Sequence, residues 1–337
     1  MADIARAPAA YVSVGYVSPG WHPVAWTSPD GESWSVHRLG ETGYTFVLAV
    51  AIGADGTIVA VGRSGPRPVA WTSRDGASWT EHPVPVLGTA GTAERMSAVV
   101  AAPGGFLAGG SIGPETGSRH ARFWRSADGS AWNPVPDDAA GFADAEVRSI
   151  VRTATSYVAV GLRGTAGHPT GSVAWTSADG ERWTRVDSAD LRTGQTASLV
   201  VGPDGGLVAV GADLERREAL VWTSPDGLTW TRAPGETSRR FGGFIQMTDV
   251  TLAGRTFIAV GQSSSLQRPT VMAWVSSDGI HWTAAPEVPA FEQSEAYGVA
   301  EGPVPSLDKT QSSGVVAVGA FGIPDDYIPT AWLSPAR

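Results

Sequence analysis

One short motif recurs along this chain and constrains its fold more than any other feature. S-x-D-G-x-x-W occurs six times, as Ser28 to Trp34, Ser73 to Trp79, Ser126 to Trp132, Ser177 to Trp183, Ser224 to Trp230 and Ser276 to Trp282. A second tryptophan stands two residues before each serine (Trp26, Trp71, Trp124, Trp175, Trp222 and Trp274), and Trp332-Leu333-Ser334 begins a seventh copy. Thirteen of the fourteen tryptophans obey this pattern, and Trp21 alone does not. A period of roughly 45 residues marks a repeat architecture, in which one supersecondary unit is stacked on its neighbours.

Each repeat contains four short strand-like runs. The best marked ends in glycine: Tyr11 to Gly15, Ile58 to Gly62, Phe106 to Gly110, Tyr157 to Gly161, Leu207 to Gly211, Phe257 to Gly261 and Val315 to Gly319. Another run precedes it, as in Ser198-Leu199-Val200-Val201. The tryptophan-bearing run follows, and a fourth comes after the D-G turn, as in Trp183-Thr184-Arg185-Val186. These runs are β-branched or aromatic and are bounded by Gly, Asp and Pro, the pattern of a meander closed by tight D-G turns. With 42 glycines and 24 prolines, the composition suits many short strands. Such a sheet cannot cover both its faces alone, but packing sheets around an axis does so.

The expected fold is therefore all-β: a seven-bladed β-propeller of four-stranded antiparallel blades. It makes one domain over 1–337, with blades at approximately 1–40, 41–88, 89–138, 139–188, 189–236, 237–289 and 290–337. Aligning Tyr11 with Tyr157 places Ile4 on Ile150, so Asp3 to Arg6 supplies the first inner strand. The seventh copy lacks its outer strand. Residues 1–10 folding outward to complete that blade is the alternative.

Other classes are excluded. The chain has no cysteine, so disulfides, thiolate catalysis and cysteine metal sites are ruled out. Net charge is −9 with no basic stripe, so nucleic acid is not an expected partner. No apolar run approaches the roughly 20 residues of a membrane span. Residues 1–6 lack the apolar stretch of a secretory leader, so the chain reads as cytoplasmic as encoded, or as secreted if a leader has been removed. There is no G-x-S-x-G elbow or H-E-x-x-H pair, no closely spaced metal-ligand cluster and no phosphate loop, so neither cofactor nor metal is expected. A monomer is expected.

The S-x-D-G-x-x-W motif resembles the Asp-box, or BNR, repeat of sialidase-like β-propellers, over nearly the whole chain. It departs from the usual S-x-D-x-G-x-x-W by one residue. The resemblance implies that Asp30, Asp75, Asp128, Asp179, Asp226 and Asp278 build turns on the face opposite the active site. It also implies, for sialidase activity, an arginine triad, a Tyr-Glu nucleophile pair, an acidic proton donor and an Arg-Ile-Pro-type motif. No such motif is found, since Arg67-Pro68 lacks the middle residue.

Fold alone does not give function, but topology points to one place. The inner strands begin at the mouth of the central tunnel. Their small-residue column reads Ala49, Ala98, Ser149, Ser198, Asp249 and Gly298. Three residues earlier stand Phe46, Arg95, Glu146, Gln195, Gln246 and Glu295; one residue earlier stand Leu48, Ser97, Arg148, Ala197, Thr248 and Tyr297. This rim differs in every blade, as a specific ligand demands, although a solvated mouth tolerates the same variety. Glu146, Glu295 and Asp249 are the candidate acid–base groups. Arg95 and Arg148 can fork onto a carboxylate or phosphate, and Gln195, Gln246 and Tyr297 can hydrogen-bond. Glu146 and Arg148 can instead simply pair, and Asp249 can bond a backbone amide. Trp21 and His22, in the first loop between second and third strands, can stack on a flat ligand or cap a gap. The corresponding last loop carries Asp325-Asp326-Tyr327, and Lys309, the chain's only lysine, lies in a lengthened hairpin.

Three functions compete. The first is a propeller that binds a small molecule, glycan or protein at the tunnel mouth. The second is an enzyme using carboxylate acid–base chemistry on a carbohydrate or metabolite, in the manner of a glycosidase, lyase or cyclase. The third is a multivalent lectin with equivalent pockets between blades, which would need the repeated tryptophans to be accessible.

Overall fold

The computed structural model describes residues 1–337 apart from 42, 137, 139, 214, 235–243, 266–267, 287–292, 306–310, 322–327 and 336–337. Seven antiparallel sheets follow one another along the chain, the arrangement of a seven-bladed β-propeller. Their first strands are Asp3–Arg6, Thr45–Ile52, Ala93–Ala102, Ala145–Arg152, Gln195–Val201, Phe244–Ala253 and Ser294–Pro305. Within each sheet, sequence neighbours pair in order from the first strand outward.

Two blades depart from four strands. The last has three among the described residues: Ser294–Pro305, Gln311–Phe321 and Ile328–Pro335. In the fourth, Gly117–Ser118, from the preceding blade, adds to the end of Tyr157–Ala166. Residues 1–10 do not cross to the last blade. Asp3–Arg6 pairs inside the first sheet, with Asp3 opposite Val14 and Arg6 opposite Tyr11. Its Ile4 packs into the seam with blade seven, which is the better use of an apolar residue than an outer edge.

The core is distributed as one apolar cluster at each of the seven seams between adjacent blades. The tryptophan of the third strand is the main filler. Trp71, Trp124, Trp175, Trp222 and Trp274 are fully buried, and Trp26 nearly so. Each such ring removes roughly 200 Å² from water. Equivalent lectin pockets built on these rings are therefore closed. The seam between blades seven and one closes the ring. There Tyr11 and Trp26 meet Val304, Val316 and Val318, and the Tyr11 hydroxyl donates to the Pro303 carbonyl at 3.1 Å.

The S-x-D-G-x-x-W segments form six copies of one turn. In blade five, Asp226 Oδ1 accepts from the amides of Leu228 and Thr229, both at 2.8 Å. Ser224 Oγ accepts from Gly227 N at 2.8 Å, and Trp230 Nε1 donates to the Gly227 carbonyl at 2.9 Å. Gly227 has φ 78°, a left-handed conformation that explains the fixed glycine. Each turn aspartate is held below the usual carboxylate range, by the turn amides in five copies and first by the His281 ring in Asp278.

Candidate functional site

The tunnel mouth owes its shape to a repeated backbone irregularity. In blades two to seven the first strand carries a β-bulge, with register shifts beside Leu48, Ser97, Arg148, Ala197, Thr248 and Tyr297. A bulge breaks the alternation of faces, so two consecutive side chains project the same way. The bulge residue and its neighbour in the small-residue column thus both face the axis. The glycine ending the second strand makes room for this. A β-carbon on Gly161 would lie 2.0 Å from the Glu146 carbonyl oxygen, and Gly62, Gly110, Gly211, Gly261 and Gly319 stand in the same relation to their own bulges.

The axis opens into a cavity of about 660 Å³. Seven of the ten sequence-derived candidates line it: Arg95, Arg148, Gln195, Gln246, Asp249, Tyr297 and Trp21. Glu146, Glu295 and His22 are not among its lining residues. The His22 ring lies beside Gly20 and Gly43. Asp325, Asp326, Tyr327 and Lys309 lie outside the described residues.

Glu146 is buried at the centre of an arginine cluster. Its Oε1 pairs with Arg148 Nη2 at 2.6 Å, its Oε2 pairs with Arg95, and Arg119 Nε lies 3.7 Å from Oε2. Burial pushes its carboxyl up, but the guanidinium groups of Arg148, Arg95 and Arg119 outweigh burial and hold it below the usual range. It is an ionised anchor that orients two arginines whose side chains also reach the cavity. Arg63 and Glu115 extend the cluster outward through a 2.8 Å ion pair. The four arginines exceed the two glutamates, so this side of the mouth is cationic.

The opposite wall is acidic. Asp249 Oδ1 accepts from the Ser198 hydroxyl at 2.5 Å, and its Oδ2 from Val299 N at 2.8 Å. Burial raises its pKa to about 6. Asp3 occupies the same register position in blade one, opposite Val14 as Asp249 is opposite Val260. Its Oδ2 accepts from Val50 N at 2.8 Å and its Oδ1 from Ile4 N at 2.7 Å. Burial first, and then the charge of Asp249, raise it to about 7. Glu295 accepts from the Tyr297 hydroxyl.

An aromatic wall adjoins both. Trp21 packs on Tyr16 and Phe46, with ring centroids 5.3 and 5.8 Å away, and Trp21 and Tyr16 line the cavity. Trp21 sits at φ 55°, a strained conformation for a bulky residue. Blade two holds it there, since Thr45 N donates to the Trp21 carbonyl at 3.0 Å.

Sequence reasoning missed Asp3 and Tyr16. The alignment of Tyr11 with Tyr157 already placed Asp3 on Ser149, so the small-residue column had a seventh member that was legible. Nothing in the repeat marks Tyr16. Among the described residues no group of three or more His, Asp or Glu side chains is arranged to hold a metal ion, and no helix is long and apolar enough to cross a membrane.

No protein-family model matches the sequence, and no curated protein matches it. Solved structures do match in fold. An ulvan lyase of a polysaccharide lyase family, bound to a GlcA-containing saccharide, superposes with TM-score 0.62 at 10% identity, covering 98% of this chain and 91% of that one. A Lactobacillus plantarum protein gives 0.61 at 10% identity, with 97% and 94% covered. A Hadza microbial sialidase gives 0.51 at 12%, with 89% and 71% covered. The chain thus shares its propeller fold with a sialidase and another glycan-active enzyme.

Proposed function

We propose that this propeller binds a saccharide bearing an acidic group at the mouth of its central channel and acts on it by acid–base chemistry. The observation that carries this reading is the division of one cavity into a cationic wall, Arg95 and Arg148, and an acidic wall containing Asp249. The arginines are forked donors suited to a carboxylate or sulfate. Gln195, Gln246 and Tyr297 supply hydroxyl-matching hydrogen bonds, and Trp21 with Tyr16 offers an aromatic face for a sugar ring. Of the three carboxylates expected to act on a substrate, Asp249 alone lines the cavity. Its raised pKa suits a proton donor at neutral pH.

The ligand of the superposed lyase suggests the probe. Calorimetry with a uronic-acid oligosaccharide should give a single binding event per chain, lost at least tenfold in Arg148→Ala. A neutral oligosaccharide of the same length should bind far more weakly. Turnover would appear as new reducing ends or as ultraviolet absorbance of an unsaturated product. Equal affinity for charged and neutral saccharides would sink the reading.

A binding protein without turnover is the second reading, favoured by the engagement of Glu146 with three arginines and of Glu295 with Tyr297. Its signature is saturable binding with no product after long incubation.

A further inference from the structure

The arginine cluster beside the cavity carries more positive charge than its own glutamates answer. Glu146 meets Arg148, Arg95 and Arg119 from within. Glu115 meets the cluster from outside, pairing with Arg63 Nη1 at 2.8 Å and lying 3.9 Å from Arg119 Nη2. Among the described residues, four guanidinium groups thus share two carboxylates. Arg119 is buried, and its Nη1 reaches the Ser111 hydroxyl only at 3.4 Å. The Nε atoms of Arg95 and Arg119 are buried without a hydrogen-bond partner. Burial first, and then the Arg95 charge, lower the pKa of Arg119, and Glu146 with Glu115 does not restore it. Buried donors short of partners are costly, so this surplus suits an incoming anion.

The layering shows where that anion enters. Side-chain exposure falls from 63% for Glu115 to 26% for Arg63 and 7% for Arg119, so the Glu115 carboxylate covers both guanidinium groups from the solvent side. Glu115 stands in the short link Pro114 to Thr116, between Gly105–Gly113 and Gly117–Ser118, and an ion pair this exposed is weak. Arg63 lies 5.0 Å over the Phe46 ring, on which Trp21 packs. The covered spot therefore adjoins the aromatic wall on one side. On the other it adjoins Arg95 and Arg148, through Arg119 and Glu146. Resting on the function proposed above, we infer that Arg63 and Arg119 form a second anion subsite with Glu115 as its displaceable stand-in, so that the saccharide taken at the mouth carries two acidic groups close together. One group meets Arg95 and Arg148 at the cavity wall. The other takes the place of the Glu115 carboxylate, which is already largely in water and swings out at little cost. Glu115 then acts as a filter: a saccharide with one acidic group gains nothing by displacing it, and one with two does.

The test is calorimetry with two oligosaccharides of equal length, one carrying a single uronic acid and the other two adjoining ones. The doubly acidic ligand should bind wild type about tenfold more tightly, the scale of one charge-assisted contact. Glu115→Gln should widen that ratio about threefold, because it removes an exposed competing ion pair. Arg63→Met keeps an apolar stem over Phe46 and should bring the ratio close to one. Nitrogen-15 NMR of the arginine side chains, titrated with sodium sulfate against sodium chloride of equal ionic strength, reads the subsite without any saccharide. The Nε signals of Arg63 and Arg119 should shift saturably with sulfate, and at lower sulfate in Glu115→Gln than in wild type. Equal binding of the two oligosaccharides by wild type and by Glu115→Gln overturns the second subsite and leaves the proposed function standing. Signals indifferent to sulfate in Glu115→Gln overturn the subsite whatever the saccharides do. Sulfate shifts at Arg63 and Arg119 with no saccharide binding overturn the proposed function and uphold the anion subsite.

Discussion

Glu146 is the residue on which the cationic wall depends. A buried carboxylate among three guanidinium groups satisfies them as much as they satisfy it, and removing one partner of such a cluster leaves uncompensated buried charge. Glu146→Gln should therefore destabilise the fold by about 3 kcal/mol at neutral pH, measured by denaturant unfolding. Its pKa is lowered in the folded protein, so its contribution is complete above the unfolded carboxyl value. That contribution is lost only as pH falls through the lowered one. A variant as stable as wild type would mean the arginines find other partners. Trp21 makes a contrasting case. Trp21→Ala removes a strained aromatic from the rim without opening a seam, so it should weaken saccharide binding about tenfold, the scale of one stacking contact. Stability should change little. A large drop in melting temperature would assign Trp21 to capping instead.

At the scale of the element, the inner strand and its glycine form one device. Gly161→Ala forces a β-carbon onto the Glu146 carbonyl, so the bulge must move or flatten. The cost should be about 3 kcal/mol or more, with Arg148 displaced and saccharide affinity lost. Gly206→Ala is the control: its β-carbon would meet nothing nearer than 3.7 Å, and its melting temperature should stay close to wild type. Equal effects of the two would show that the glycine is kept for chain entropy alone. The same device explains what could be read from sequence. Tryptophans and D-G turns are fixed residue types at fixed spacings, so strands, blade number and turn aspartates were legible. The terminal glycine of each second strand was equally visible. Its reason lies across the ladder in a bulge, and bulges carry no residue signature. Lining residues at the bulge and column positions were found by alignment between repeats. Glu146 and Glu295 were misplaced relative to the cavity because alignment gives position along a strand, not which partners a long side chain reaches.

The whole molecule should respond to pH through two sets of carboxyls with opposite signs and through the buried Met1 amine. The six turn aspartates and Glu146 have lowered pKa values, Asp75 at about 2. They favour the folded state above the unfolded carboxyl value and release that favour as the medium becomes strongly acid. Asp3 and Asp249 are raised to about 7 and about 6. Their contribution is complete below the unfolded value, about 3.9, and is lost as pH rises through the folded ones. The first set lies on the turns and in the arginine cluster, the second on the inner strands, where Asp249 bonds blades five and seven and Asp3 bonds blade two. The buried Met1 amine, lowered to about 5, acts in the opposite sense between about pH 5 and pH 8. Melting temperature should therefore peak at about pH 4 and decline toward about pH 6, each acid steepening the decline by up to about 1.4 kcal/mol per pH unit and the amine offsetting it above about pH 5. Replacing both acids with serine removes the group that must ionise in a poorly solvated ring. The double variant Asp3→Ser/Asp249→Ser should lose this decline while keeping the acid limb that the turns impose. Thermal melts of both proteins across this range decide it. A double variant that still declines between about pH 4 and pH 6 as steeply as wild type would place the source of the decline elsewhere.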